Sequence, residues 1–416
     1  MGMSAMTTYW LSSQCLVHNG DRTENVAMTL FKILMMTIRI PNLCDTEDFE
    51  NYALHVRLIL ILISYQCARG LSHLFKFIFS YLIYSYIIHY TFSLIKFITI
   101  IQKITMASIK KIGVLGAGVI GASWTALFVA RGLTVTVVDV QPTAGDFVLS
   151  YVQKAWPLLQ NLGLVVEGAS PEKFTFSTDM KTAFTDVDFI QENSPERLDI
   201  KHTILKNLDS IIPEHAIIAS SSSGLTCSSM QEADLKFPER LCIGHPFNPP
   251  HFIPLVEIVG GEKTSEATKQ TATEFYRLIG KKPILVKREV TGHIANRLQS
   301  ALMREVFHLM SNDIASISDI ETAMEYGPGL RWGAMGPNTI FSLGGGAGGA
   351  AHFADHLLGP ALSWYAKEDP ILNDETKAMW VEQTNAAIAG RDAEQLIAER
   401  DQIITGILNS KKEKTS

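Results

Sequence analysis

The sequence predicts an α/β protein in which a doubly wound parallel sheet is followed by an all-α domain. Three observations carry this. The run KKIGVLGAGVIGASWTALFVARGLTVTVVD over 110–139 reads as strand, glycine turn, helix and second strand. Short apolar strands then alternate with helical stretches as far as LVEIVG at Leu255, and from Ile294 onward only helical periodicity remains.

The 416 residues leave room for two or three domains. A net charge of −6, with no dense Lys/Arg run, argues against a nucleic-acid or anionic-membrane footprint, so small molecules are the expected partners. Cys15, Cys44, Cys67, Cys227 and Cys242 show no CxxC spacing. That is a reducing-compartment pattern, and a cytoplasmic protein is expected.

Residues 1–105 stand apart. They contain little Gly or Pro and become strongly apolar after Asn51, with FIFSYLIYSYIIHYTFSLI over 77–95 between Lys76 and Lys96. One reading is a membrane anchor, since the stretch is long enough to span a bilayer. The reading adopted is that this extension lies outside the native fold. Its composition is what AT-rich non-coding DNA would yield on translation, and Met106 opens MASIKKIGVLGAG as a natural start.

In the first unit, Gly116 serves the tight turn, Gly118 lets the backbone approach a pyrophosphate, and Gly121 lets helix and strand pack closely. Val119 and Ile120 complete the motif at the helix N-terminus, where phosphates sit. Gly132 ends the helix. Asp139 closes the second strand near the spacing at which a carboxylate accepts hydrogen bonds from ribose hydroxyls. It would repel a 2′-phosphate, so NAD is favoured over NADP.

A helix is expected from about Thr143 to Leu162, followed by strands FTFS at Phe174, DFIQEN at Asp188, AIIASSS at Ala216 and LCIGH at Leu241. Ligands of such sheets gather beyond the carboxyl ends of strands. Three polar ends fall there: Glu192 with Asn193, Ser220 to Ser223, and His245 with Asn248. Glu257 lies on the next strand. Singly, each has a plain alternative: the serines as a helix cap, His245 as a structural residue, Glu257 as a surface acid. Together they form a chemical assembly. A histidine beside a carboxylate can abstract a hydroxyl proton, and serine and asparagine can fix the carbinol oxygen, as hydride transfer to NAD requires.

From Lys110 to the C-terminus the chain resembles the L-3-hydroxyacyl-CoA dehydrogenase family. GAGVIG, ENSPERLDIK, SSSSGL, GHPFNPPHFIPLVEIVGGEKTS and VTGHIANRL occur in the family's order and close to its spacing. The resemblance implies a Rossmann-type domain over 106–290 and an all-α substrate and dimerisation domain over 291–410, with a solvated tail over 411–416. It also implies that His245 is the base and Glu257 its carboxylate partner. Ser223 and Asn296 become ligands of the substrate oxygen, and Glu192 a contact to the nicotinamide ribose.

HPFNPP and the insertion of Arg331 and Trp332 in GPGLRWGAMGPN look like the family's small-acid branch, the carnitine and lambda-crystallin/gulonate dehydrogenase group. Arg331 suits bidentate capture of a free carboxylate, or else a subunit salt bridge. The expected substrate is therefore a small hydroxy acid such as L-carnitine or L-gulonate. An acyl-CoA is the alternative, and a non-catalytic crystallin-like protein is the rival from another class. NRLQSALMREVFHLM is apolar over too wide an arc for a free surface helix, which with the resemblance implies a homodimer. His352 and His356 lie at i, i+4, but Phe353 stands where a zincin carries Glu, and no metal is expected.

Overall fold

The computed structural model describes residues 109–388 and 390–413. The extension over 1–105, including the candidate anchor over 77–95, lies outside the described residues. Among those described, no helix is long and apolar enough to cross a membrane.

The strands are β1 (Lys111–Leu115), β2 (Thr134–Val138), β3 (Phe174–Ser177), β4 (Phe189–Glu192), β5 (Ile217–Ser220), β6 (Leu241–Pro246), β7 (Leu255–Gly260) and β8 (Lys282–Val286). They form one sheet in the order β3-β2-β1-β4-β5-β6-β7-β8. Every neighbouring pair is parallel except β6 and β7. The all-parallel expectation thus fails at one joint, and the cause is length. Residues 247–254 are too few for a crossover, which needs a dozen or more, so the chain doubles back. β8 was not anticipated, because only Val286 of its five residues is buried and its apolar positions do not alternate.

α1 (Val119–Ala130) is buried along nearly its whole length, as expected of a helix apolar all round. It ends as the sequence indicated. Gly132 has φ +74, its N–H reaches the Val129 carbonyl at 3.0 Å, and Leu133 N–H reaches Phe128 at 3.1 Å. These two bonds satisfy carbonyls that the helix end would otherwise orphan. α1 packs with α2 (Ala144–Asn161) and α6 (Glu266–Leu278) on one face, around Trp124, Phe128, Phe275 and Tyr276. α4 (Leu198–Ile211) and the short α5 (Cys227–Met230) cover the other face; the one-turn α3 (Met180–Ala183) lies between β3 and β4.

After β8 the chain is helical: α7 (Ala295–Ser311), α8 (Ile317–Tyr326), α9 (Pro328–Ala334), α10 (Pro337–Gly344), α11 (Gly349–Phe353), α12 (Gly359–Ala361), α13 (Asp374–Ile388) and α14 (Ala393–Glu413). Val306, Met310, Ile317 and Ile320 form a small core there, with Phe307 and Trp380 stacked at 6.1 Å. α14 continues past residue 410 into the segment expected as a tail, and Lys412 Nζ donates to the Leu162 carbonyl. His352 and His356 stack, and His356 Nδ1 meets the His352 carbonyl at 3.0 Å.

Candidate active site

The cofactor cradle follows from steric demands at three glycines. Gly116 has φ +87, and a Cβ there would lie 2.7 Å from the Asn193 carbonyl oxygen. At Gly121 a Cβ would lie 1.8 Å from the Gly116 carbonyl oxygen, because α1 starts directly against the turn. Beside Gly118 a Cβ would meet nothing within 4 Å, so the backbone is bare toward open space. Val119, half-exposed, and Ile120 open the helix. Asp139 accepts from Ala117 N–H at 2.7 Å and Gln141 N–H at 3.0 Å, which fixes its carboxylate beside the glycine loop with lone pairs left over. A bare helix N-terminus next to an anchored carboxylate fits the pyrophosphate and adenosine ribose of NAD.

The His245–Glu257 pair is set by strand pairing. His245 of β6 is the register partner of Glu257 of β7. His245 Nδ1 lies 2.8 Å from Glu257 Oε2, and a carboxylate only accepts, so Nδ1 carries the proton and Nε2 the lone pair. Glu257 is fully buried. Burial alone would raise its pKa. Hydrogen bonds from His245 and from Ala295 and Ile294 N–H outweigh that and hold it below the ordinary carboxylate range. Its second oxygen, Oε1, accepts those two backbone bonds at 3.0 and 2.8 Å, so one side chain orients the imidazole and caps α7.

Asn296 follows immediately on α7 and lines an open cleft with Gln299, Met303 and Arg304. In the serine run, Ser220 Oγ donates to Glu192 Oε2 at 2.5 Å, Ser221 Oγ to Asn193 Oδ1 at 2.7 Å and Ser222 Oγ to Glu196 Oε1 at 2.7 Å. Ser223 is exposed, and its hydroxyl has no partner among the described residues. It is not the cap of α5 either, since Thr226 accepts from Ser229 N–H.

Glu192 sits in a polar network. It is fully buried, and its oxygens take bonds from Lys201 Nζ at 3.0 and 2.9 Å, from Ser220 and from Ser194. It therefore straps β4, β5 and α4 together. The carboxylate that the sequence reading missed is Glu196, four residues on. It gathers the N–H groups of Ser223, Gly224 and Leu225 at 3.0, 2.7 and 3.2 Å. Burial opposes its ionisation, but these bonds, one from Ser222 and the charge of Lys201 hold its pKa down.

His293, a second missed residue, lies with its ring centroid 5.0 Å from that of His245. Arg331 sits exposed on α9. Among the described residues it has no ion-pair partner, and no contact brings it to His245 or Glu257.

The model of the 3-hydroxyacyl-CoA dehydrogenase NAD-binding domain matches residues 111–290, and that of the 3-hydroxyacyl-CoA dehydrogenase C-terminal domain matches 292–386. An L-carnitine dehydrogenase of Streptomyces coelicolor is 43% identical over 305 residues, 73% of this chain and 95% of that protein. The chain belongs to the 3-hydroxyacyl-CoA dehydrogenase family. An L-carnitine dehydrogenase of Bacillus cereus is 40% identical over 72% of this chain and 92% of its own length. A 3-hydroxyacyl-CoA dehydrogenase of Gibberella moniliformis is 37% identical, covering 74% and 97%. Among solved structures, the NAD+-dependent dismutase 5-formyl-3-hydroxy-2-methylpyridine 4-carboxylic acid 5-dehydrogenase matches with a TM-score of 0.63 and 28% identity. That match covers 72% of this chain and 97% of the other. Membership in the family makes this chain an NAD-dependent oxidoreductase acting on a CH–OH group.

Proposed function

We propose that the protein oxidises the L-3-hydroxy group of a small free acid, of the L-carnitine or L-gulonate type, to a 3-oxo group. The observation that carries this reading is the cross-strand His245–Glu257 pair, whose geometry leaves a lone pair on His245 Nε2. His245 takes the hydroxyl proton, while Glu257 keeps the ring in the required tautomer and stabilises the imidazolium. The free hydroxyl of Ser223 and the amide of Asn296 hold the carbinol oxygen. NAD, when bound, supplies the hydride acceptor. A non-catalytic, crystallin-like role has no use for such a pair.

The small-acid assignment draws on the two carnitine dehydrogenase relatives and on Arg331, a guanidinium with no ion-pair partner among the described residues, as a free carboxylate requires. A panel of L-carnitine, L-gulonate, 3-hydroxybutyrate and 3-hydroxybutyryl-CoA tests it. At least one free acid should be the best substrate, and Arg331→Met should raise its KM about tenfold or more with little change in the KM for NAD. Activity on the CoA thioester alone would transfer the assignment to acyl-CoA oxidation.

The same reading includes a homodimer in the cytoplasm. Leu298, Tyr326, Leu330, Trp364, Tyr365 and Leu372 are each more than 60% exposed, an apolar surface that a second copy would cover. Cys227 and Cys242 are buried free thiols, as a reducing compartment leaves them. A monomeric mass by light scattering would remove the dimer. Recovery of the protein in a membrane fraction would favour the anchor over 77–95.

A further inference from the structure

The turn Val290–Ile294 between β8 and α7 carries a side chain that neither the cofactor cradle nor the acid–base pair uses. His293 is 2% exposed and has φ +49, sparsely populated for any residue with a Cβ, with its N–H on the Val290 carbonyl at 3.0 Å. Its Nε2 lies 3.0 Å from the Ser222 carbonyl. A carbonyl only accepts, so Nε2 carries the proton and Nδ1 holds the lone pair in the neutral ring. That Nδ1 is buried and has no hydrogen-bond partner. An unsatisfied buried acceptor costs stability unless a ligand or a later state of the site supplies a donor. The ring of His245 is 5.0 Å away, tilted by 52°.

We propose that His293 is a positioning residue for the proton transfer, the lone pair of its neutral Nδ1 stabilising the imidazolium that His245 becomes on taking the substrate hydroxyl proton. In that step the alcohol O–H bond breaks and the N–H bond forms on His245, while the hydride leaves the carbinol carbon for NAD. His293 itself gains no proton. Its Nε2–H stays on Ser222, which also ties the Ser223 segment to the start of α7. The groups facing it are His245 on β6, Glu257 on β7 and Glu196 after β4. Burial chiefly lowers its pKa, with His245 adding to the effect against the Ser222 bond and the two glutamates, so the ring stays a neutral acceptor.

This inference rests on His245 as the base. His293→Phe keeps a ring and removes both nitrogens; His293→Gln restores a donor and an acceptor. The phenylalanine variant should lose roughly ten- to a hundredfold in kcat, the worth of one polar contact to a charged group, with the KM for NAD unchanged. A less supported imidazolium makes a weaker base, so the acid limb of the oxidation profile should move to lower pH. So should the alkaline limb of 3-oxo reduction, which starts from the protonated ring. Glutamine should recover part of both effects, and the ¹⁵N shifts of the His293 ring should show the Nε2–H tautomer across the neutral range. If His293→Phe lowers only the Tm, with kcat and both limbs as in the wild type, the inference fails and His293 is structural. If His245→Gln itself keeps wild-type turnover, the proposed chemistry fails with it. A fall in His245→Gln beside a wild-type His293→Phe overturns this inference alone.

Discussion

Replacing His245 with glutamine should lower turnover by at least roughly a hundredfold while NAD binding is retained. Glutamine keeps a polar side chain of similar length on β6, so Glu257 is not left without a donor and the sheet joint survives. What disappears is the basic lone pair. No other described group is poised as His245 is, with one ring nitrogen fixed on a buried carboxylate and the other left basic. The cofactor cradle at Gly116 to Gly121 and Asp139 lies on β1, α1 and β2, away from the substitution. Calorimetric titration with NAD beside steady-state kinetics separates the two effects, and near-normal turnover would remove His245 from the role of base.

Changing Glu257 to glutamine should be as severe for chemistry and should also weaken the fold. An amide placed against Nδ1 can donate as well as accept, which favours the tautomer with the proton on Nε2, where the base is needed. Substituting the amide for a base-orienting carboxylate costs on the order of 10³ to 10⁴ in turnover. The variant keeps an oxygen for Ile294 and Ala295 N–H but loses the negative charge at the start of α7, worth about 0.3 to 1 kcal/mol. Because the folded state holds Glu257 below the ordinary carboxylate range, its stabilisation is present above the unfolded pKa. It is lost as pH falls through the folded value. The stability gap between wild type and variant should therefore close on acidification. Chemical denaturation at neutral and acidic pH measures it, and equal midpoints at neutral pH would remove the capping role.

The parts of this fold written as periodic hydrophobicity were legible in the sequence: β1 to β7, α1 with its Gly132 stop, and the long α2. Direction was not. Strand composition is the same either way, and only the eight-residue link over 247–254 held the information that β7 turns back. β8 escaped because it is mostly solvent-facing, and α9 escaped because its Gly and Pro residues punctuate any period, whereas the helix expected after Pro337 is α10. In the site, His245 and Glu257 stood out at strand positions, where alternation fixes which face each residue takes. Glu192 and Glu196 could not be told apart by sequence, since the groups that surround them come from elsewhere in the chain: Lys201 on α4 reaches back to both, at 2.9 and 4.0 Å. His293 was hidden for a similar reason: a histidine after glycine at a helix start reads as a turn residue until the distance to His245 is known.

The antiparallel joint has a consequence for how this family can diversify. Because the ladder between β6 and β7 sets His245 opposite Glu257, the proposed proton-transfer pair depends on backbone register and not on the sequence of the connecting link. A slip of one residue would turn Glu257 to the other side of the sheet and is resisted by every rung of the hairpin. The helices beyond α7 lie outside that ladder, so a change there alters what is admitted while the pair keeps its geometry.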